Sequence, residues 1–104
     1  MANQRYVKGR NFENYVADKL RKAGYYVIRS AGSKGVFDLI AIKNGVPYGI
    51  QCKYDGYINA HELNKLIETG RKYFICPALA YKDGNRVRIV LLHSRKDLLT
   101  GDSL

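Results

Sequence analysis

Between Val36 and Lys53 the chain carries two runs rich in apolar and β-branched residues, Val36-Phe37-Asp38-Leu39-Ile40-Ala41-Ile42 and Pro47 to Lys53, separated by Lys43-Asn44-Gly45. Asn-Gly readily supplies the positive-φ positions of a tight turn, so the two runs are predicted to pair as a β-hairpin. A sheet this apolar has to be covered, and the flanking sequence offers the cover. From Arg10 to Ala23, Phe12, Tyr15, Val16 and Leu20 recur at three- and four-residue spacing. Gly24 then follows as a left-handed stop. This predicts an amphipathic helix with Asn11 as its N-cap.

Tyr25 to Arg29 reads as a further strand, and Ser30 to Gly35 as a glycine-punctuated loop. A second helix is expected over Ala60 to Tyr73, capped by Asn59, with Leu63, Leu66, Ile67, Gly70 and Phe74 on one stripe. Ala78 to Tyr81 and Arg86 to Leu92 are two more strands around Lys82-Asp83-Gly84-Asn85, and Leu98-Leu99 belong to a short tail. The order α-β-β-β-α-β-β predicts an α/β fold, a mixed five-stranded β-sheet flanked by helices. Periodicity does not fix the strand order.

With 104 residues and 46% hydrophobic content, one packed core is expected, and residues 1–104 are read as one domain. No stretch approaches the roughly 20 apolar residues of a membrane span, and the opening MANQRYVKGR has no apolar signal core. The expectation is a cytoplasmic protein with no membrane partner. Cys52 and Cys76 lack any metal or disulfide spacing and are read as reduced. The formal charge is +9. Residues 1–34 hold eight basic and two acidic side chains, leaving +6 in the first third of the chain. Such asymmetry favours a polyanion, with nucleic acid foremost, because Lys and Arg release condensed counterions from phosphates.

One charged residue stands out. Asp38 interrupts an apolar strand, where a carboxylate is costly unless it is paired or binds a metal. Across the turn, Gln51 and Lys53 are two apart and share a face of the next strand. A carboxylate, an amide oxygen and an ammonium can therefore converge, with the Cys52 carbonyl between them. Metal-assisted phosphodiester hydrolysis needs such a set: oxygen donors for Mg²⁺ and a lysine to stabilise charge or position water. Glu13, in line with Ala17 and Leu20 on the first helix, is the fourth candidate. Each has an ordinary explanation when taken alone. Asp38 can be a strand-end carboxylate accepting backbone hydrogen bonds, Gln51 and Lys53 a polar strand face, and Glu13 an acid favoured by the helix dipole. Their combination with a hairpin, a basic loop and a helix favours a site.

The residues Arg29-Ser30-Ala31-Gly32-Ser33-Lys34-Gly35-Val36, then Asp38-Leu39-Ile40-Ala41, with Glu13 upstream and Gln51-Cys52-Lys53 downstream, carry a resemblance that extends from Val7 to Leu92. The chain resembles the archaeal Holliday junction resolvase (Hjc) family, a branch of the PD-(D/E)xK nuclease superfamily. Asn64 to Glu68, Tyr73 and Pro77 to Ala80 are similar to that family as well. The resemblance implies a restriction-endonuclease-like fold and a homodimer that cuts four-way DNA junctions with paired nicks, using Mg²⁺ or Mn²⁺. It implies Asp38 as central metal ligand, Lys53 as catalytic lysine, Glu13 as supporting carboxylate, and Ser33 as a contact to the DNA backbone. Two departures are visible. Phe37 looks like an extra residue, to be absorbed as a bulge, and Gln51 stands where the family has Glu. A neutral amide oxygen binds a divalent cation less strongly, so activity with weaker metal binding is expected.

Lys8, Arg10, Arg29 and Lys34 flank the expected site as phosphate contacts. Tyr54 and Tyr57 are candidates for stacking on exposed bases, and His61 and His93 have no partner spacing. Apolar residues on the second helix and last strand fit a two-fold interface. Two rival readings stand beside the junction endonuclease. Gln-Cys-Lys-Tyr is similar to the motif of Mrr-type restriction endonucleases, which cut ordinary duplex. The other rival is a DNA-binding dimer whose catalytic site has decayed at Gln51.

Overall fold

A computed structural model describes residues 4–30 and 35–104, with side chains from Asn11 onward. The elements run α1 (Gln4–Lys22), β1 (Tyr26–Arg29), β2 (Leu39–Lys43), β3 (Val46–Cys52), α2 (Ala60–Tyr73), β4 (Cys76–Asp83) and β5 (Arg86–Leu91). The expected order of elements is therefore the observed one. The five strands lie side by side in chain order, all neighbours antiparallel except β3 and β4, which are parallel. That exception follows from connectivity: α2 is the crossover that a parallel pair requires.

Helix α1 buries Phe12, Val16, Ala17 and Leu20 against Val27, Leu39, Ala41, Ile50, Ala78, Ala80 and Ile89 from all five strands. Burying each large apolar side chain is worth roughly 1.5–3 kcal/mol, so this face is the main core. The helix starts at Gln4 rather than Arg10, and Asn11 is an exposed interior residue instead of the cap. The first turns carry little apolar periodicity, which is why the amphipathic stripe located their end and not their beginning. Gly24, with φ +94°, ends the helix as expected.

Helix α2 covers the other face. Asn59 is its N-cap, accepting from the Glu62 N–H, and the helix has the bounds the sequence predicts. Gly70 is required where α2 meets β4, since a Cβ there would lie 2.5 Å from the Ile75 carbonyl oxygen and 3.1 Å from Pro77 Cδ. Phe74 leaves the expected stripe: it is the C-cap at φ +57° and is 87% exposed. The tail is anchored by buried Asp97, which accepts from Leu99 N–H at 2.8 Å and pairs with Arg88 at 3.4 Å. Among the described residues no helix is long and apolar enough to cross a membrane.

Candidate active site

Arg29, Leu39 and Ile50 are register partners across β1, β2 and β3, and β4 runs parallel to β3. The C-terminal ends of β1, β3 and β4 and the start of β2 therefore share one edge of the sheet. The Asn44-Gly45 turn lies at the other. The candidate residues gather at the first edge.

Asp38 is not inside a strand, as its apolar neighbours suggested, but immediately before β2. Its N–H donates to the Ile50 carbonyl at 2.9 Å, although Ile50 is the register partner of Leu39. Two consecutive residues thus face one, which is the arrangement of a β-bulge, a feature that re-aims a side chain. The expected bulge is therefore present, and it falls on Asp38 and Leu39, while Phe37 serves as an anchor. Phe37 is buried over Gly49, where an added Cβ would come within 2.6 Å of the ring. The re-aimed carboxylate accepts the Cys52 N–H through Oδ2 at 2.8 Å.

The charges around Asp38 are those of the expected set. Burial pushes its carboxyl above the ordinary Asp range, the Cys52 N–H bond opposes this, the Glu13 charge adds to it, and Lys53 and Arg29 oppose it. Glu13 from α1 and Lys53, the residue just after β3, thus both act on Asp38. Gln51 lies on β3 between the two residues that Asp38 engages, and it is half-buried. The Cys52 thiol is pushed far up by burial and then by the Asp38 and Glu13 charges, so it stays protonated and contributes no anion.

Two cations are held more tightly than the sequence indicated. Arg29 is engaged with α1 through Nη2 to Glu13 Oε1 at 3.3 Å and Nη1 to Asn14 Oδ1 at 2.5 Å. Its Nε is buried, with no acceptor among the described residues. Lys53 Nζ lies 2.6 Å from Glu62 Oε2. Glu62 was not anticipated as part of the site. Its only sequence signal is the Asn59-x-x-Glu62 spacing, which reads as a helix cap. The backbone of Lys8 and Arg10 lies in α1 ahead of Glu13, on the same edge; Ser33 and Lys34 lie outside the described residues.

Glu13, Asp38, the Gln51 amide and the Cys52 carbonyl are hard oxygen donors, the kind that Mg²⁺ and Mn²⁺ take. The Glu13 charge opposes the ionisation of Asp38, and a cation beside the Asp38 carboxylate would relieve that opposition. The set is poor in charge, because among the described residues no three His, Cys, Asp or Glu side chains cluster in a metal-holding arrangement.

The model of the archaeal Holliday junction resolvase (Hjc) family matches residues 4–102. The chain belongs to that family. A crossover junction endodeoxyribonuclease Hjc of Methanocaldococcus jannaschii is 43% identical over 82 residues, 75% of this chain and 61% of the relative. The chain thus aligns with somewhat less than two thirds of that protein's length. The structure of Archaeoglobus fulgidus Hjc, described as a Holliday junction resolvase, matches with a TM-score of 0.69 at 26% identity, covering 81% of this chain and 72% of that one. The mixed five-stranded sheet flanked by helices is thus the fold of an Hjc protein, consistent with the restriction-endonuclease-like expectation.

Proposed function

We propose that this chain is a structure-selective, metal-dependent endodeoxyribonuclease, acting as a homodimer on four-way DNA junctions and making paired nicks by phosphodiester hydrolysis. The observation that carries the reading is the gathering of Glu13, Lys53 and Arg29 around the bulge-directed Asp38 carboxylate, in a chain of the Hjc family. Asp38 and Glu13, with the Gln51 amide and the Cys52 carbonyl, would hold Mg²⁺, and Mn²⁺ takes the same donors. Such an ion supplies Lewis-acid stabilisation of the phosphoryl oxygens and lowers the pKa of bound water.

The protein's own groups do the rest. Lys53 presents ammonium protons to a non-bridging phosphate oxygen or to the attacking water, opposing the charge that develops in the transition state. Arg29, paired with Glu13 and near enough to oppose the Asp38 shift, puts a positive charge where a phosphate oxygen beside the cut would lie. Lys8, Arg10, Ser33 and Lys34 would extend the phosphate contacts. The pairing of nicks is supported by symmetry: a junction is close to two-fold symmetric, so a C2 dimer presents two identical sites. Exposed Tyr73 and Phe74 at the end of α2 are apolar surface suited to that dimer.

The test is a nicking assay on a synthetic four-way junction with Mg²⁺, beside linear duplex of the same sequence. Nicking of the junction alone is expected, with Asp38→Asn inactive. Equal cutting of the duplex favours the Mrr-type reading. Junction binding without nicking by the wild-type chain means the site has decayed at Gln51.

A further inference from the structure

We propose that Glu62 is a positioning residue for Lys53, fixing its ammonium through a contact reaching from the first turn of α2 to the residue that follows β3. The inference rests on the endonuclease reading, in which Lys53 acts at the phosphate. A lysine ammonium rides on four rotatable bonds and is by itself a poorly directed group. Here it is held. Nζ lies 2.6 Å from Glu62 Oε2, the short distance of a charge-assisted bond, with both side chains about one-third exposed or less at 29% and 34%.

The carboxylate that holds it is itself held. Glu62 Oε1 accepts from Asn59 Nδ2 at 2.8 Å, while Asn59 Oδ1 accepts from the Glu62 N–H, also at 2.8 Å. In an ordinary capping box the third-position Glu reaches back to the N-cap backbone N–H. In this chain it reaches the Asn59 side-chain amide with one oxygen and the lysine with the other. At the far end, the backbone of Lys53 is fixed by its N–H to the Ala80 carbonyl and by Gly56 N–H to its own carbonyl, each at 2.8 Å. Both ends of the side chain are therefore determined, and the two ammonium protons not given to Glu62 are left for phosphate and water.

Three variants separate this role from helix capping. Glu62→Ala is expected to lower single-turnover nicking at saturating enzyme by tenfold or more, with junction affinity in metal-free buffer within twofold of wild type. Glu62→Gln, whose amide oxygen still accepts from Nζ, should recover part of that rate. Asn59→Ser keeps a good cap but removes the amide donor to Oε1, so its melting temperature should match wild type while its nicking rate falls. In ¹H–¹⁵N spectra, a slowly exchanging Lys53 ammonium signal, assigned by its loss in Lys53→Met, should vanish in Glu62→Ala. Should Glu62→Ala fail to fold, Glu62→Gln and Asn59→Ser decide the matter. Wild-type rates in the folded variants overturn the inference and leave the endonuclease standing. A wild-type chain that does not nick overturns the endonuclease reading and this role with it.

Discussion

Asp38 sits beside two cations and a backbone N–H, a setting that usually favours ionisation, yet burial and Glu13 together outweigh them and its carboxyl is shifted up. The folded state therefore binds a proton more readily than the unfolded chain. Stability is lost as pH rises from the unfolded Asp range through the raised native value, and the cost is fully present at neutral pH. Asp38→Asn retains an oxygen for the Cys52 N–H and removes the buried charge. In EDTA at pH 7 it should melt a few degrees above wild type, with the gain fading toward pH 3, while nicking falls at least about a hundredfold. Calorimetry across pH checks the first claim and a junction assay the second. Gln51→Glu should do the reverse. A third carboxylate lowers the Mg²⁺ concentration for half-maximal nicking by roughly tenfold, and lowers the melting temperature when metal is chelated. A Mg²⁺ titration with a matched melt in EDTA reads both. At this scale the sequence singled out Asp38 and Lys53 as candidates because a charge in or at the end of an apolar run is conspicuous. It did not disclose Glu62, because a residue at the start of one helix gives no sign of touching a strand end nine positions earlier.

Among the elements, two glycines allow close approaches that a Cβ would block. Gly49 gives Phe37 its seat on β3, and Phe37 immediately precedes the bulge that aims Asp38. Gly49→Ala forces the ring away and should cost about 1–3 kcal/mol by overpacking. Nicking should also fall where the variant is still folded, since displacing Phe37 moves Asp38. Urea melts and rates below the transition check the pair of effects. At Gly70 two terms compete. Alanine is better in a helix by about 1 kcal/mol, but its Cβ would sit 2.5 Å from the Ile75 carbonyl. Backbone does not yield as a side-chain tip does, so Gly70→Ala should be net destabilising, again measured by urea melt. The limits of α2 were legible because Asn59 and the apolar stripe mark them, whereas α1 begins earlier than its stripe and β2 begins later than its apolar run. In β2 the reason is the bulge, a two-against-one pairing that depends on β3 and has no signature within the strand itself.

For the molecule as a whole, the +9 charge would make electrostatics the first term in the proposed DNA binding. Neutralising about six phosphates should weaken junction affinity by roughly 10³-fold between 50 and 200 mM salt. Fluorescence anisotropy in metal-free buffer measures that slope, and a flat dependence would remove DNA as the partner. The strand order was beyond the sequence because it depends on which edges meet, and only the β2–β3 and β4–β5 turns were short enough to decide a pairing. The same arrangement has a practical use. The Asn44-Gly45 turn stands at the edge away from Glu13, Asp38 and Lys53, and both of its residues are exposed. A tether attached through that turn would leave the opposite rim free in solution, so the protein can be immobilised in one orientation with Glu13, Asp38 and Lys53 facing outward.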